Sequence, residues 1–309
     1  MSLRVALLDD LASGPVSGPE LAEAFDISRT AVWNHIADLR SAGFTIEAGS
    51  NGYRVTEVPE YGGDAIQFGL DAPYRIEYHD TIASTNERAR ELAGSGRRDI
   101  VVVADRQTGG RGRRDRRWVG PSGGIYLSLV FSPSIPPARV PLLTLAGGVA
   151  VARALDPIAI ETGIKWPNDL LVRGSDEKIA GILTEMQGES DRVEWVILGI
   201  GINANVDAGK LPTDATSLQT TCGPVDRRSI VQRLLASFHR LSADPAGVIE
   251  EWRSRTTTLD RPVRVTVAGE EIRGMAMDVD RTGALLIERP NGTMRRVHAG
   301  DCEHLRPIE

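Results

Sequence analysis

Between Asp105 and Trp118 the chain reads DRQTGGRGRRDRRW, with Gly109, Gly110 and Gly112 set among Arg111, Arg113, Arg114, Arg116 and Arg117. Glycine lets backbone N–H groups approach a ligand closely, and a guanidinium fork takes carboxylate or phosphate oxygens two at a time. Five arginines within seven positions repel one another unless an anion sits among them. The stretch reads as a polyanion site, such as one for a carboxylate beside a triphosphate, or as a basic surface loop. Its residues alone leave both open. It is not a Walker A loop, since no GxxxxGKS/T run is present.

A second stretch, IKWPNDL from Ile164 to Leu170, puts Lys165 at the end of an expected strand ahead of the rigid Trp166-Pro167 pair. An ammonium held there could neutralise both a carboxylate nucleophile and the α-phosphate it attacks; a solvated strand-end lysine is the plainer reading. Asn168 and Asp169 could orient neighbours or hold a metal. Ser84-Thr85-Asn86-Glu87 opens an expected helix, where Ser84 and Glu87 form a capping box and the exposed polar groups could hydrogen-bond a ligand ring. Gly199-Ile200-Gly201-Ile202-Asn203 ends a strand with small residues and one amide. That amide could bond both edges of an adenine, or simply close a turn.

The elements around these residues fall into an α+β multidomain pattern. Residues 1–57 read as three helices and a hairpin. Val5, Leu8 and Leu11 mark the first helix, Gly18 to Phe25 the second, and Ser28 caps the third, which buries Val32, Ile36 and Leu39 and stops at Gly43. Asn51-Gly52 turns the hairpin. This is a winged helix-turn-helix, with Thr30, Trp33, Asn34 and Arg40 on the face available to DNA. Four arginines against eight carboxylates leave this segment at −4, which opposes phosphate binding unless its basic groups cluster.

Residues 58–72 read as a Pro- and Gly-containing linker. Residues 73–258 alternate strands and helices: helices over 84–94, 139–155, 226–241 and 245–257, a half-buried strand at Ile125–Phe131, and paired strands at Lys178–Met186 and Val193–Ile200. Residues 259–309 read as a small SH3-like β-barrel with turns at Thr282-Gly283 and Asn291-Gly292.

The bulk properties agree with such an organisation. The 309 residues are 41% hydrophobic and 25% charged, enough for two or three folded domains. A net charge of −6 argues against indiscriminate binding to nucleic acid or anionic membrane. Cys222 and Cys302 form no metal-ligand pattern and read as structural bystanders in a reducing compartment. Asp9 and Asp10 stand where a secretory signal needs an apolar run, and Val140–Ala152 spans only 13 residues, so a cytoplasmic protein with no membrane partner is expected.

In content and order, STNE at 84–87, GGRGRR at 109–114 with Trp118, KWPNDL at 165–170, KIAGIL at 178–183 and GIGIN at 199–203 resemble the biotin protein ligases, in the bifunctional form with an N-terminal winged helix. The resemblance covers essentially the whole chain. It implies a central biotin/lipoyl-ligase-type catalytic domain that uses ATP to activate biotin as biotinyl-5'-AMP. Biotin then passes to a lysine of a biotin carboxyl carrier domain. It implies that Ser84, Thr85, Asn86, Gln107, Arg111, Gly112, Arg113 and Lys165 bind biotin, with Arg111, Arg113 and Lys165 catalytic. Arg113, Trp118, Lys165, Asn168, Lys178 and Asn203 would serve the nucleotide. Mg²⁺ is implied with no ligand identified, and operator DNA and a second copy of the chain are further partners it allows. Two alternatives are a regulator that senses biotin and a lipoate–protein ligase, whose arginine-glycine motif has a different order.

Overall fold

A computed structural model describes residues 3–267, 269–298 and 300–305, so the extreme ends of the first and last expected domains lie outside the described residues. The chain forms two compact units, Met1–Asp71 with Asp226–Gln232, and Ala72–Val225 with Arg233–Glu309.

In the first unit, α1 (Leu3–Ser13), α2 (Gly18–Ala24) and α3 (Arg29–Ser41) precede the antiparallel hairpin of β1 (Thr45–Gly49) and β2 (Gly52–Glu57). Leu7, Leu8 and Leu11 meet Leu21, Val32, Ile36, Leu39, Phe44 and Ile46 in one apolar core. Ser28 accepts the Ala31 N–H at 3.1 Å and starts α3. Ser17 and Glu20 close a reciprocal capping box at α2. Gly52 (φ +114°) cannot carry a side chain, because a Cβ would lie 2.3 Å from the Val16 backbone. The expected linker is not bare: it contains α4 (Gly63–Gln67), whose Ala65 joins this core. Thr30, Trp33 and Asn34 are exposed on α3, Trp33 by 60%. Arg40 instead donates through Nε and NH2 to the Ile46 carbonyl, at 3.1 and 2.6 Å, bracing the hairpin against α3.

The second unit is built on a seven-stranded mixed sheet of β3 (Arg75–Ile82), β4 (Ile100–Gln107), β5 (Ile125–Phe131), β6 (Thr162–Lys165), β7 (Asp169–Val172), β8 (Lys178–Gly188) and β9 (Val193–Ile202). The spatial order is β3-β4-β5-β9-β8-β7-β6, and only the β3–β4 pair is parallel. Its helices are α5 (Thr85–Gly94), α6 (Pro141–Leu155), α7 (Leu218–Cys222), α9 (Pro245–Arg255) and, from Arg233 onward, α8 (Arg227–Ser242). Ala89, Leu92 and Ala93 of α5 pack on Val130 and Ile197. On the other face, α6 brings Gly147 against Ile182 and Leu198, and Phe238 of α8 meets Phe131 edge-on. With helices on both faces, β5 is buried at all seven positions rather than half-buried as the alternation suggested. The apolar stretch read as 13 residues extends to a helical run over Pro137–Leu155 that is mostly buried; it is a core helix.

The remaining strands, β10 (Pro262–Val267), β11 (Glu270–Val279), β12 (Leu285–Glu288), β13 (Met294–Val297) and β14 (Asp301–His304), form a five-stranded antiparallel sheet in the order β13-β12-β11-β10-β14. Gly283 and Gly292 take positive φ at the two expected turns. The sequence pattern did not reveal β14. Trp166 fastens this sheet to the large one. It is almost fully buried, its N–H donates to Thr258 Oγ1 at 2.9 Å, and its indole N–H to the Gly283 carbonyl at 3.1 Å.

Candidate active site

Ser84, Thr85, Asn86, Gln107, Arg111, Gly112, Arg113, Trp118, Lys165, Asn168, Lys178 and Asn203 all line one cavity of about 360 Å³. Sheet register brings them together. Gly199 and Gly201 alternate along β9, Asn203 follows its last residue, and Gly181 of β8 pairs directly with Gly201. These glycines make a flat floor: a Cβ on Gly199 would lie 2.1 Å from Asn86 Oδ1, and one on Gly201 would lie 2.6 Å from the Trp118 ring.

At one end lies a chain of neutral polar groups. The Thr85 N–H donates to Gln107 Oε1 at 2.7 Å, and Ser128 Oγ lies 2.8 Å from Thr85 Oγ1 and donates to Asn86 Oδ1 at 2.6 Å. Ser128 was missed from sequence; its only signal is a lone serine in the apolar run IYLSLVF. Asn86 is 9% exposed and its Nδ2 has no partner among the described residues. A buried donor without a partner is costly, so this N–H pair suits a ligand carbonyl. Ser84 caps α5 by accepting from the Glu87 N–H at 3.4 Å, but the capping box is only half formed: the Glu87 carboxylate faces Arg111 at 3.5 Å instead.

At the other end Trp118 lies over Gly181 and Gly201, with the Lys178 ammonium 5.3 Å from its ring centre. Lys178 also pairs with Asp169 at 2.6 Å. Asn203 is 3% exposed and spends its Nδ2 on the Thr216 carbonyl at 3.0 Å. The expectation of two-edged adenine bonding is therefore corrected. Only the Oδ1 acceptor remains for a base, because the amide's donor half anchors the 211–216 segment that walls the cavity.

Charge pairing separates the cations. Arg114 and Arg116 both bond Asp301, at 2.9 and 2.8 Å, so the anion among the five arginines is in part the protein's own. Among the described residues Arg113 bonds only a neutral group, Asn168 Oδ1 at 2.9 Å, and burial pulls its pKa below the usual guanidinium range despite nearby Asp301 and Asp169. Asn168 is held in turn by donating to the Ile182 carbonyl at 3.0 Å. No carboxylate among the described residues pairs with Lys165, which sits opposite Asp169 at the head of the β6–β7 hairpin. Thus Lys165 and Arg113 bring to the cavity positive charge that no carboxylate among the described residues bonds directly. Cys302 and Glu303 of β14 also line it, and burial pushes the Cys302 thiol up to about 12.

A cavity with an unsatisfied amide donor at one end, a stacking indole at the other and cations in its wall that bond no carboxylate can seat an elongated ligand with an anionic centre. Comparison with known proteins agrees. Residues 78–203 match the biotin/lipoate A/B protein ligase family, residues 8–54 an HTH domain, and residues 258–305 the biotin protein ligase C terminal domain. The bifunctional ligase/repressor BirA of Bacillus subtilis is 38% identical over 308 residues, 93% of each chain. The Mycobacterium tuberculosis biotin--[acetyl-CoA-carboxylase] ligase is 34% identical, covering 74% of this chain and 89% of that one. The solved biotin protein ligase of Aquifex aeolicus in complex with biotin and ATP superposes with a TM-score of 0.63 at 26% identity, covering 75% of this chain and 98% of that one. The chain belongs to the biotin/lipoate A/B protein ligase family, among the biotin protein ligases that carry a helix-turn-helix ahead of the catalytic fold.

Proposed function

We propose that this chain is an ATP-dependent biotin–protein ligase, and that Lys165 and Arg113 are its charge-neutralising groups. The observation that carries this reading is that both line the same cavity as the Asn86 end and Trp118, and neither is bonded to a carboxylate among the described residues, whereas Arg111, Arg114, Arg116 and Lys178 are. Biotin's ureido oxygen would accept from Asn86 Nδ2, and its carboxylate would lie at Lys165. The adenosine would lie beside Trp118, with its exocyclic amine donating to Asn203 Oδ1.

Two anions must meet for the carboxylate to attack the α-phosphorus and expel pyrophosphate. Fixed cations in a water-poor cavity lower that barrier without reorganising. An acceptor lysine then attacks the biotinyl-AMP carbonyl and releases AMP. The Arg111–Arg117 turn would keep water from the mixed anhydride between the two steps.

Among the described residues no group of three His, Cys, Asp or Glu could hold a metal ion. Mg²⁺ commonly binds through one or two carboxylates and substrate phosphates; with Asp169 paired to Lys178, Asp214 of the cavity wall is the carboxylate that would hold an ion arriving with ATP, which would offset phosphate charge. We read 73–258 as the catalytic domain. The buried face and the register shift at Ala276–Asp278 support reading the C-terminal sheet as a small SH3-like barrel. The acceptor would be a biotin carboxyl carrier domain, in the cytoplasm. The exposed Thr30, Trp33 and Asn34 support an added role as a biotin-responsive repressor on operator DNA.

The test is ATP–pyrophosphate exchange with biotin or lipoate as the acid. Exchange with biotin alone is expected; exchange with lipoate alone overturns the assignment. A gel shift with DNA upstream of the host's biotin genes, with and without biotin and ATP, tests the repressor role.

A further inference from the structure

Asp301 opens β14 and pairs in the ladder with Thr266 of β10. One carboxylate oxygen takes Arg114 NH1 and the other Arg116 NH2, while Arg114 NH2 reaches the Thr266 carbonyl at 2.7 Å. Arg114 sits at φ +53°, a left-handed conformation that a side-chain-bearing residue keeps only where its surroundings hold it. Its chain neighbour Arg113 is the guanidinium that reaches Asn168 in the cavity. A carboxylate beside an anion site repels the ligand unless its charge is taken up, and here two guanidiniums take it up.

We propose that Asp301 is a clamp, through which the C-terminal sheet pins the arginine turn over the cavity and so positions Arg113. Asp301 touches no reacting atom; it is a positioning residue. Its effect on the reaction rests on the ligase reading above, but the clamp itself does not. The three side chains are partly exposed, so each ion pair is modest and the clamp is sensitive to salt.

The experiment uses the full chain as wild type, Asp301→Asn, Asp301→Glu and Arg116→Gln. Without ligand, cleavage within 111–117 by subtilisin, which does not require arginine, is timed at low and high salt. With biotin and ATP, release of biotinyl-AMP is timed. Asp301→Asn should be cut, and should lose its adenylate, about three- to tenfold faster than wild type at low salt, with little further response to salt. Arg116→Gln should fall between the two, and Asp301→Glu should return toward wild type. Equal cleavage of wild type, Asp301→Asn and Arg116→Gln overturns the clamp. If wild type makes no adenylate yet the cleavage order holds, the clamp stands and the ligase assignment falls.

Discussion

Gly199→Ala is the most specific perturbation of the polar end. The added methyl would lie 2.1 Å from Asn86 Oδ1 and 3.0 Å from Nδ2. Neither partner can yield cheaply. Asn86 is held by the Ser128 hydroxyl, and Gly199 lies in β9 between β5 and β8, opposite Ser128 on one side and Leu183 on the other. If the asparagine turns away, it loses the Ser128 bond, about 1 kcal/mol. Overpacking the site adds about 1–3 kcal/mol, so a stability loss of about 2–4 kcal/mol is expected. The displaced amide also no longer meets the ligand carbonyl, which weakens biotin binding by about tenfold.

Thermal melts would measure the first quantity, and titration calorimetry with biotin and then with ATP the second. Gly201→Ala is the control, because its methyl strikes the Trp118 ring at 2.6 Å. It should weaken ATP more than biotin, the reverse of Gly199→Ala. If the folded Gly199→Ala protein binds biotin within about twofold of wild type, Asn86 does not recognise biotin and the orientation of the ligand in the cavity is wrong.

Lys165→Ala should lower adenylate formation by about 10²- to 10³-fold while the melting temperature stays near that of wild type, as pyrophosphate exchange and a melt would show. Full exchange by the folded variant removes Lys165 from the mechanism. Arg113→Gly should still form adenylate but release it faster, read by filter retention of labelled biotinyl-AMP; unchanged retention discredits its role in holding the intermediate. His304 has its pKa lowered to about 4 by burial, with Lys165 and Arg261 adding to the effect. The unfolded chain therefore binds a proton that the native chain refuses between about pH 6.5 and 4, and this part of the stability is lost as pH falls through that window. After discounting for solvent at a partly exposed ring, the loss is about 1 kcal/mol. His304→Gln, which can keep a bond to Thr258, should flatten the melting temperature across that range; an unaltered slope excludes the histidine.

Features that depend on near neighbours were legible in the chain. The starts of α3 and α5 follow from Ser28 and Ser84 beside helical apolar spacing, and the hairpin turns follow from glycines at positive φ. The site motifs were legible because each lies at a strand end or helix start, where backbone and side chains face outward together. What could not be read is which charge neutralises which. Asp301 lies 187 residues from Arg114, and its strand carried no apolar alternation long enough to announce it. Asn203 looked like a two-edged ligand until packing set its amide against Thr216. Local propensity is a property of a few consecutive residues. Electrostatic pairing and hydrogen-bond occupancy depend on distances that exist only after sheets and helices have packed, and in this chain packing left Lys165 and Arg113 as cations without a carboxylate partner.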